Sequence, residues 1–221
     1  PKNFAAGADI QGILEITKKS DAYKIVNEVH QIFNSIAKLE AITVAAIGGP
    51  VPGGAYELAL ACDHIVALND KSTRVGLPET KLGIIPGWGG SHRLPKRIGI
   101  IKSINAILNG KLYDAKRAFK NGMVDRITHK EHLIAVASNI AMRREVIKKK
   151  KRLFKQIIVD WNPLAKALIK YQTQKMIYKR TKGNYPAQGF ALDLILKSNT
   201  ANQDNMAKRE AKAVAELATG E

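Results

Sequence analysis

Gly48-Gly49-Pro50-Val51-Pro52-Gly53-Gly54-Ala55-Tyr56-Glu57-Leu58-Ala59-Leu60-Ala61-Cys62-Asp63 decides how the rest of this chain is read. The residues before it, Ile42-Thr43-Val44-Ala45-Ala46-Ile47, are apolar and partly β-branched, the pattern of a buried strand. Glycines and prolines then interrupt the run. Small and apolar residues follow, predicting a helix that starts near Gly54 or Ala55 and runs towards Cys62. Ile65-Val66-Ala67 predicts the next short strand. Glu57 therefore falls in the first part of a helix that leaves a glycine turn. A carboxylate there is stabilised by the unpaired N–H groups of the helix start even with no further role.

Downstream, Thr73-Arg74-Val75-Gly76-Leu77-Pro78-Glu79 leads into Pro86-Gly87-Trp88-Gly89-Gly90, whose glycines and prolines imply tight turns and close backbone approaches. Upstream, Phe4-Ala5-Ala6-Gly7-Ala8-Asp9-Ile10 reads as a strand or loop entering a helix, with Asp9 as its N-cap. Between residues 21 and 38, Ile25, Val29, Ile32, Phe33 and Ile36 recur at helical spacing and mark an amphipathic helix. Helices are expected over 101–108 and 115–120, with a turn at Asn109-Gly110 and a strand over 123–127. Beyond about residue 140 the pattern is mainly helical, broken at Asn162-Pro163 and at Gly183-Asn184-Tyr185-Pro186. The expected organisation is a core over residues 1–140 and a helical region over 141–221. Pro1-Lys2-Asn3-Phe4 resembles neither an initiator region nor a signal peptide, so part of the core is expected to precede this sequence.

The chain has 221 residues, 45% of them hydrophobic, enough for one sizeable core. No apolar run reaches about 18 residues, so no membrane-spanning helix is expected. Its 36 Lys and Arg outweigh 19 Asp and Glu, leaving a formal charge of +17. Charge alone leaves nucleic acid, an acidic membrane and a phosphorylated cofactor all open as partners. Part of the excess lies in Arg143, Arg144, Lys148, Lys149, Lys150, Lys151 and Arg152, whose simplest reading is a solvated helical face or a basic linker. Cys62, the single cysteine, reads as a small buried hydrophobe; with no partner for an internal disulfide, it fits a reducing compartment. His92 reads as a surface or helix-start residue. Nothing in the sequence points directly to a metal site.

The segments Ala5–Ile10, Gly48–Asp63 and Gly76-Leu77-Pro78-Glu79-Thr80-Lys81-Leu82-Gly83-Ile84-Ile85-Pro86-Gly87-Trp88-Gly89-Gly90-Ser91-His92-Arg93-Leu94, in this order and spacing, together resemble the enoyl-CoA hydratase/isomerase, or crotonase, family. The resemblance runs from Phe4 to about Ile127. It implies an α/β fold, a crotonase-like spiral of ββα units with a C-terminal helical region. It also implies an acyl-CoA substrate whose thioester carbonyl meets an oxyanion hole formed by the N–H groups of Ala8 and Gly54. Small residues there let the ligand reach the backbone, and preorganised amides meet charge as it develops on an enolate oxygen. Glu57 and Glu79 stand at the family's two carboxylate positions. The implied reaction is hydration of a 2-enoyl-CoA in fatty-acid β-oxidation, with Glu57 orienting and deprotonating the water and Glu79 transferring a proton at Cα. Gly53, Gly87 and Trp88 are substrate-pocket candidates, with simple packing between glycine turns as the alternative for Trp88. No cofactor is expected beyond the coenzyme A carried by the substrate.

The sequence departs from the family pattern at three places. Ala55 stands where a third glycine is frequent, Pro52 removes a backbone donor before the glycine pair, and residues 69–73 make a longer turn. The tail with Lys182-Gly183-Asn184-Tyr185-Pro186-Ala187, and the wording Gly76 to Gly83, are similar to the hydratase portion of multifunctional fatty-acid oxidation proteins. In those a 3-hydroxyacyl-CoA dehydrogenase follows, although no glycine-rich dinucleotide fingerprint occurs in this sequence. That resemblance implies an attached dehydrogenase, a thiolase partner or self-association, and a bacterial cytoplasmic or mitochondrial-matrix setting. Isomerisation of a 3-enoyl to a 2-enoyl chain would need the oxyanion hole and one proton shuttle, for which Glu79 suffices; Glu57 favours hydration. Two other readings are an RNA-binding protein using its basic face, for which no aromatic-rich recognition motif is present, and a degenerate assembly subunit, against which the occupancy of both Glu57 and Glu79 speaks.

Overall fold

In a computed structural model the protein is described over residues 4–5, 18–147, 152 and 154–219. After helix α1 (Lys19–Ile36), strand β1 (Val44–Ile47) turns at Gly48 and Gly49 into β2 (Pro50–Pro52), and α2 (Gly54–Ala61) follows. The pattern recurs with β3 (His64–Leu68), β4 (Arg74–Gly76), a 3-10 turn (Glu79–Leu82) and α3 (Gly90–Ile98). β1 lies parallel to β3, with Val44 opposite His64 and Ile47 opposite Ala67. β2 lies parallel to β4, with Pro50 opposite Arg74 and Pro52 opposite Gly76. Among the described residues each ββα unit thus gives one strand to each of two three-stranded sheets, and the chain winds as a spiral.

After α4 (Ile100–Leu108), β5 (Tyr113–Asp114) adds antiparallel to β4. Then α5 (Ala115–Asn121) leads to β6 (Arg126–Thr128), which adds parallel to β3. The helices α6 (Leu133–Ala141), α7 (Phe154–Trp161), α8 (Pro163–Thr181), α9 (Pro186–Lys197) and α10 (Gln203–Ala218) complete the order. The break expected at Asn162-Pro163 is a helix start: the Asn162 side chain accepts from the N–H groups of Leu164 and Ala165, and Pro163 occupies the first turn. Among the described residues no helix is long and apolar enough to cross a membrane.

Ile47, Tyr56, Ile65, Leu77, Leu94 and Ile107 are fully buried, and Ala191, Leu192, Ile195, Met206 and Ala211 of α9 and α10 join the same cluster. The C-terminal helices therefore complete the core around the sheets. The Tyr56 hydroxyl donates to the Met123 carbonyl at 2.8 Å, tying α2 to the approach to β6. Phe4 N–H donates to the Gly48 carbonyl at 3.1 Å, anchoring the chain at the β1–β2 corner. The helix entrance expected at Asp9 lies outside the described residues.

The inward face of α1 differs from its sequence reading. Ala22, Val26, His30, Phe33 and Asn34 are buried, whereas Ile25 and Ile32 are 44% and 58% exposed. The helix turns this way because His30 and Asn34 meet polar partners, the buried Glu210 of α10 and the half-buried Arg93 of α3, a gain that an apolar count does not register. The strand expected over 123–127 forms later, at Arg126–Thr128.

Leu192→Ala removes a fully buried side chain from α9. It should lower the unfolding free energy by about 2–5 kcal/mol in a denaturant titration. A loss below about 0.5 kcal/mol, the range of ordinary surface substitutions, would detach α9 from the core.

Candidate active site

The turn between β2 and α2 sets the first carboxyl. Gly53 N–H donates to the Gly76 carbonyl at 2.9 Å, and the Gly53 carbonyl accepts from Tyr56 and Glu57, so the turn closes although Pro52 brings no donor. Gly53 has a φ of +58°, a conformation that favours glycine, and a Cβ on it would stand 3.1 Å from Glu79 Oε1. The turn therefore lies directly over Glu79. Gly54 is the first residue of α2, so its N–H is among the donors a helix start leaves unpaired. The Trp88 ring covers Gly54 so closely that a Cβ there would fall 2.1 Å from Cζ3. Trp88 also meets Phe33 edge to face, with ring centroids 6.0 Å apart. It thus packs against α1 and walls the helix start at once. Ala8 lies outside the described residues.

The loop before α3 is held from two sides. Trp88 N–H and Gly90 N–H donate to Glu57 Oε1 at 2.8 and 2.7 Å. Gly89 N–H, between them, donates to Glu210 Oε2 at 2.7 Å. Glu210 comes from α10, is fully buried, and has His30 Nε2 3.2 Å from the same oxygen. Arg93 donates to the Trp88 carbonyl at 2.8 Å and to Asn34 Oδ1 at 2.7 Å, where Gln203 of α10 also donates. Gly87 packs against α10, since a Cβ on it would lie 2.8 Å from Val214 Cγ2.

Glu57 and Glu79 are both buried. Burial first, then the neighbouring charges of Glu79 and Glu210, hold the Glu57 pKa well above the usual carboxyl range; the N–H bonds of Gly90 and Trp88 oppose this without reversing it. Burial pushes Glu79 up to about 8, and Glu210 adds to the shift. Neither Glu79 oxygen has a hydrogen-bond partner from another residue among those described. The arrangement is a crowded carboxyl pair that retains a proton at neutral pH, with one member anchored by the backbone and the other free to exchange.

Glu210 had no place in the sequence reading of the site. Its neighbours Lys208, Arg209 and Lys212 suggest a solvated face, yet Met206, Ala207, Ala213 and Val214 lie three or four residues away and are buried. That helical phase was the available signal. Of the two readings of His92, surface or helix-start residue, the structure gives the second: it lies buried in the first turn of α3, and burial, with Lys96 and Arg93 nearby, pushes its pKa down to about 3.

Comparison with known proteins matches residues 1–206 to the enoyl-CoA hydratase/isomerase family. The fatty acid oxidation complex subunit alpha of Aliivibrio fischeri is 39% identical over 218 residues, 99% of this chain. That of Vibrio cholerae serotype O1 (strain El Tor Inaba N16961) is 37% identical over 220 residues, 98% of this chain. The chain spans 31% of the length of either relative. Among solved structures, an enoyl-CoA hydratase from Thermoplasma volcanium is similar with a TM-score of 0.61 and 25% identity, over 96% of this chain and 68% of that one. An enoyl-CoA hydratase from Bacillus anthracis gives a TM-score of 0.60 at 25% identity with the same coverage. The α/β crotonase-like spiral is thus shared with these neighbours.

The raised carboxyls make stability depend on pH. The folded chain keeps protons that the unfolded chain releases, so their stabilising contribution is complete below pH 4.5 and is lost as pH rises through about 8. Glu79→Gln should therefore flatten the fall of melting temperature with pH across this window. A slope equal to that of the wild type would show that Glu79 ionises normally.

Proposed function

The chain belongs to the enoyl-CoA hydratase/isomerase family, and we propose that it adds water across the double bond of 2-enoyl-CoA thioesters, giving 3-hydroxyacyl-CoA in fatty-acid β-oxidation. The observation that carries this reading is the buried carboxyl pair, Glu57 anchored through Oε1 by two N–H groups and Glu79 raised to about 8 beside it. Hydration needs an oxygen delivered to Cβ and a proton delivered to Cα, and water supplies both. The reaction balances without an oxidant, a reductant or a group carrier, so no cofactor is assigned beyond the coenzyme A of the substrate.

With Oε1 occupied, Glu57 offers Oε2 to the water and takes its proton as the oxygen attacks Cβ. Glu79, which holds its proton past neutrality, gives it to Cα. Because the two carboxyls interact, the titration belongs to the pair and the water links their roles. The Gly54 N–H at the start of α2 faces the thioester oxygen in this reading, with the Ala8 N–H as the second donor. Trp88 walls the pocket beside Gly54, Gly53 spans Glu79, and Gly87 seats the loop on α10. Shift of a 3-enoyl double bond uses the same oxyanion donors with Glu79 as the proton shuttle, and is assigned as a secondary activity.

The relatives named as alpha subunits of fatty acid oxidation complexes support reading this chain as the hydratase portion of a longer protein. An attached 3-hydroxyacyl-CoA dehydrogenase, and a thiolase partner or self-association, belong to the same proposal. So does a bacterial cytoplasmic or mitochondrial-matrix setting, which suits Cys62, a half-buried free thiol directed at the Leu58 carbonyl.

Glu57→Gln and Glu79→Gln, each assayed for hydration of a 2-enoyl-CoA at saturating substrate, should lower kcat by about 10²–10⁴-fold. Wild-type turnover in both variants would overturn the assignment.

A further inference from the structure

Glu57 takes its backbone hydrogen bonds from the loop before α3, and that loop is in turn bonded to α10. Its two backbone donors, Trp88 and Gly90, flank Gly89, and Gly89 N–H turns the other way to Glu210 of α10. Gly89 sits at φ +105° and neither it nor Gly90 has a side chain to lodge in the core, so backbone hydrogen bonds fix this part of the loop. The Trp88 carbonyl is held by Arg93, leaving Gly89 as the peptide whose anchor lies 121 residues away in sequence. We propose that Glu210 is a positioning residue for the carboxyl pair: it grips the Gly89 N–H from behind the loop, sets the two N–H groups that orient Glu57, and places its carboxylate behind the site. The catalytic consequence rests on the hydratase reading above, whereas the grip on the loop does not.

The groups that face Glu210 come from every element around it. They are His30 of α1, Glu57 of α2, Glu79 of the 3-10 turn, and Arg93 of α3, with His92 close to His30. Glu210 Oε1 has no hydrogen-bond partner among the described residues. Burying such a carboxyl is unfavourable unless its bonds and charge are used. The Gly89 and His30 contacts use Oε2, and the charge acts on Glu57 and Glu79, both of whose proton affinities it raises.

The test is Glu210→Gln in the full chain, which keeps the side-chain size and an acceptor oxygen but removes the charge. Two measurements separate the two effects: amide hydrogen exchange at residues 88–90, and the pH dependence of kcat and kcat/KM for 2-enoyl-CoA hydration. Exchange at 88–90 should quicken, and kcat should fall about ten-fold, the rate equivalent of weakening one hydrogen bond to a charged group. KM should stay within about two-fold, because the loop's hold on Glu57 acts on the chemical step. Both limbs of the pH profile should move to lower pH, since loss of a negative charge lowers the proton affinity of its neighbours. Unchanged exchange, or a kcat loss with no movement of the pH limits, overturns the proposal. If the wild-type chain hydrates no 2-enoyl-CoA, the hydratase reading falls, while exchange at 88–90 still decides whether Glu210 grips the loop. Should Glu210→Gln not fold, Glu210→Asp keeps the charge and withdraws the acceptor. It should quicken exchange and lower kcat with the pH limits unmoved, and wild-type values of both would overturn the proposal.

Discussion

Successive peptide N–H groups of Trp88, Gly89 and Gly90 divide between two buried carboxyls, those of Glu57 and Glu210, drawn from elements far apart in the chain. Much of the local structure follows from keeping that division intact. Gly90 must lack a side chain, because a Cβ would come 2.8 Å from Glu57 Oε1. α10 must lie along α1 so that Glu210 meets both Gly89 and His30. Arg93 closes the other side of the loop through the Trp88 carbonyl and reaches Asn34 of α1. The two polar residues that α1 turns inward, His30 and Asn34, and its exposed Ile25 and Ile32, are consequences of this network.

Opposing effects meet on Glu57. Two charge-assisted hydrogen bonds favour its ionised form, while burial and the nearby charges of Glu79 and Glu210 disfavour it, and the second set wins. Glu79 lacks even those bonds, so burial governs it. The proposed water addition would draw on this imbalance. A pair that keeps one proton at neutral pH has a base for the water and an acid for Cα within one site, whereas two ordinary carboxylates would supply only bases. The cost falls on stability at higher pH.

The parts of the site set by local backbone needs were legible in the sequence. Gly53 and Gly54 sit where a left-handed turn and close approach of the Trp88 ring require them, and Glu57 follows on the helix they start. β1, β3 and α2 announced themselves through apolar runs. β2, β4 and β5 span 3, 3 and 2 residues, too short for an alternation to show. α3 was concealed by its glycine entrance and by Pro95 in its interior, which forgoes a backbone bond but is buried in compensation. Glu210 was obscured for a different reason. Its role arises from a contact with Gly89 across 121 residues, and Lys208, Arg209 and Lys212 around it have the composition of a solvated face. The oxyanion donor expected at Ala8 lies outside the described residues, and Gly54, the other expected donor, is the first residue of α2.

The proton held by the Glu57–Glu79 pair is the property on which the proposed hydration and the pH-dependent stability rest, and on which Glu210 acts. Carboxyl-carbon NMR titration of the chain labelled at glutamate, with Glu57→Gln and Glu79→Gln used for assignment, measures it directly. One carboxyl of the pair should stay protonated through neutral pH and release its proton near 8. Ionisation of both near the ordinary value of 4.5 would contradict it.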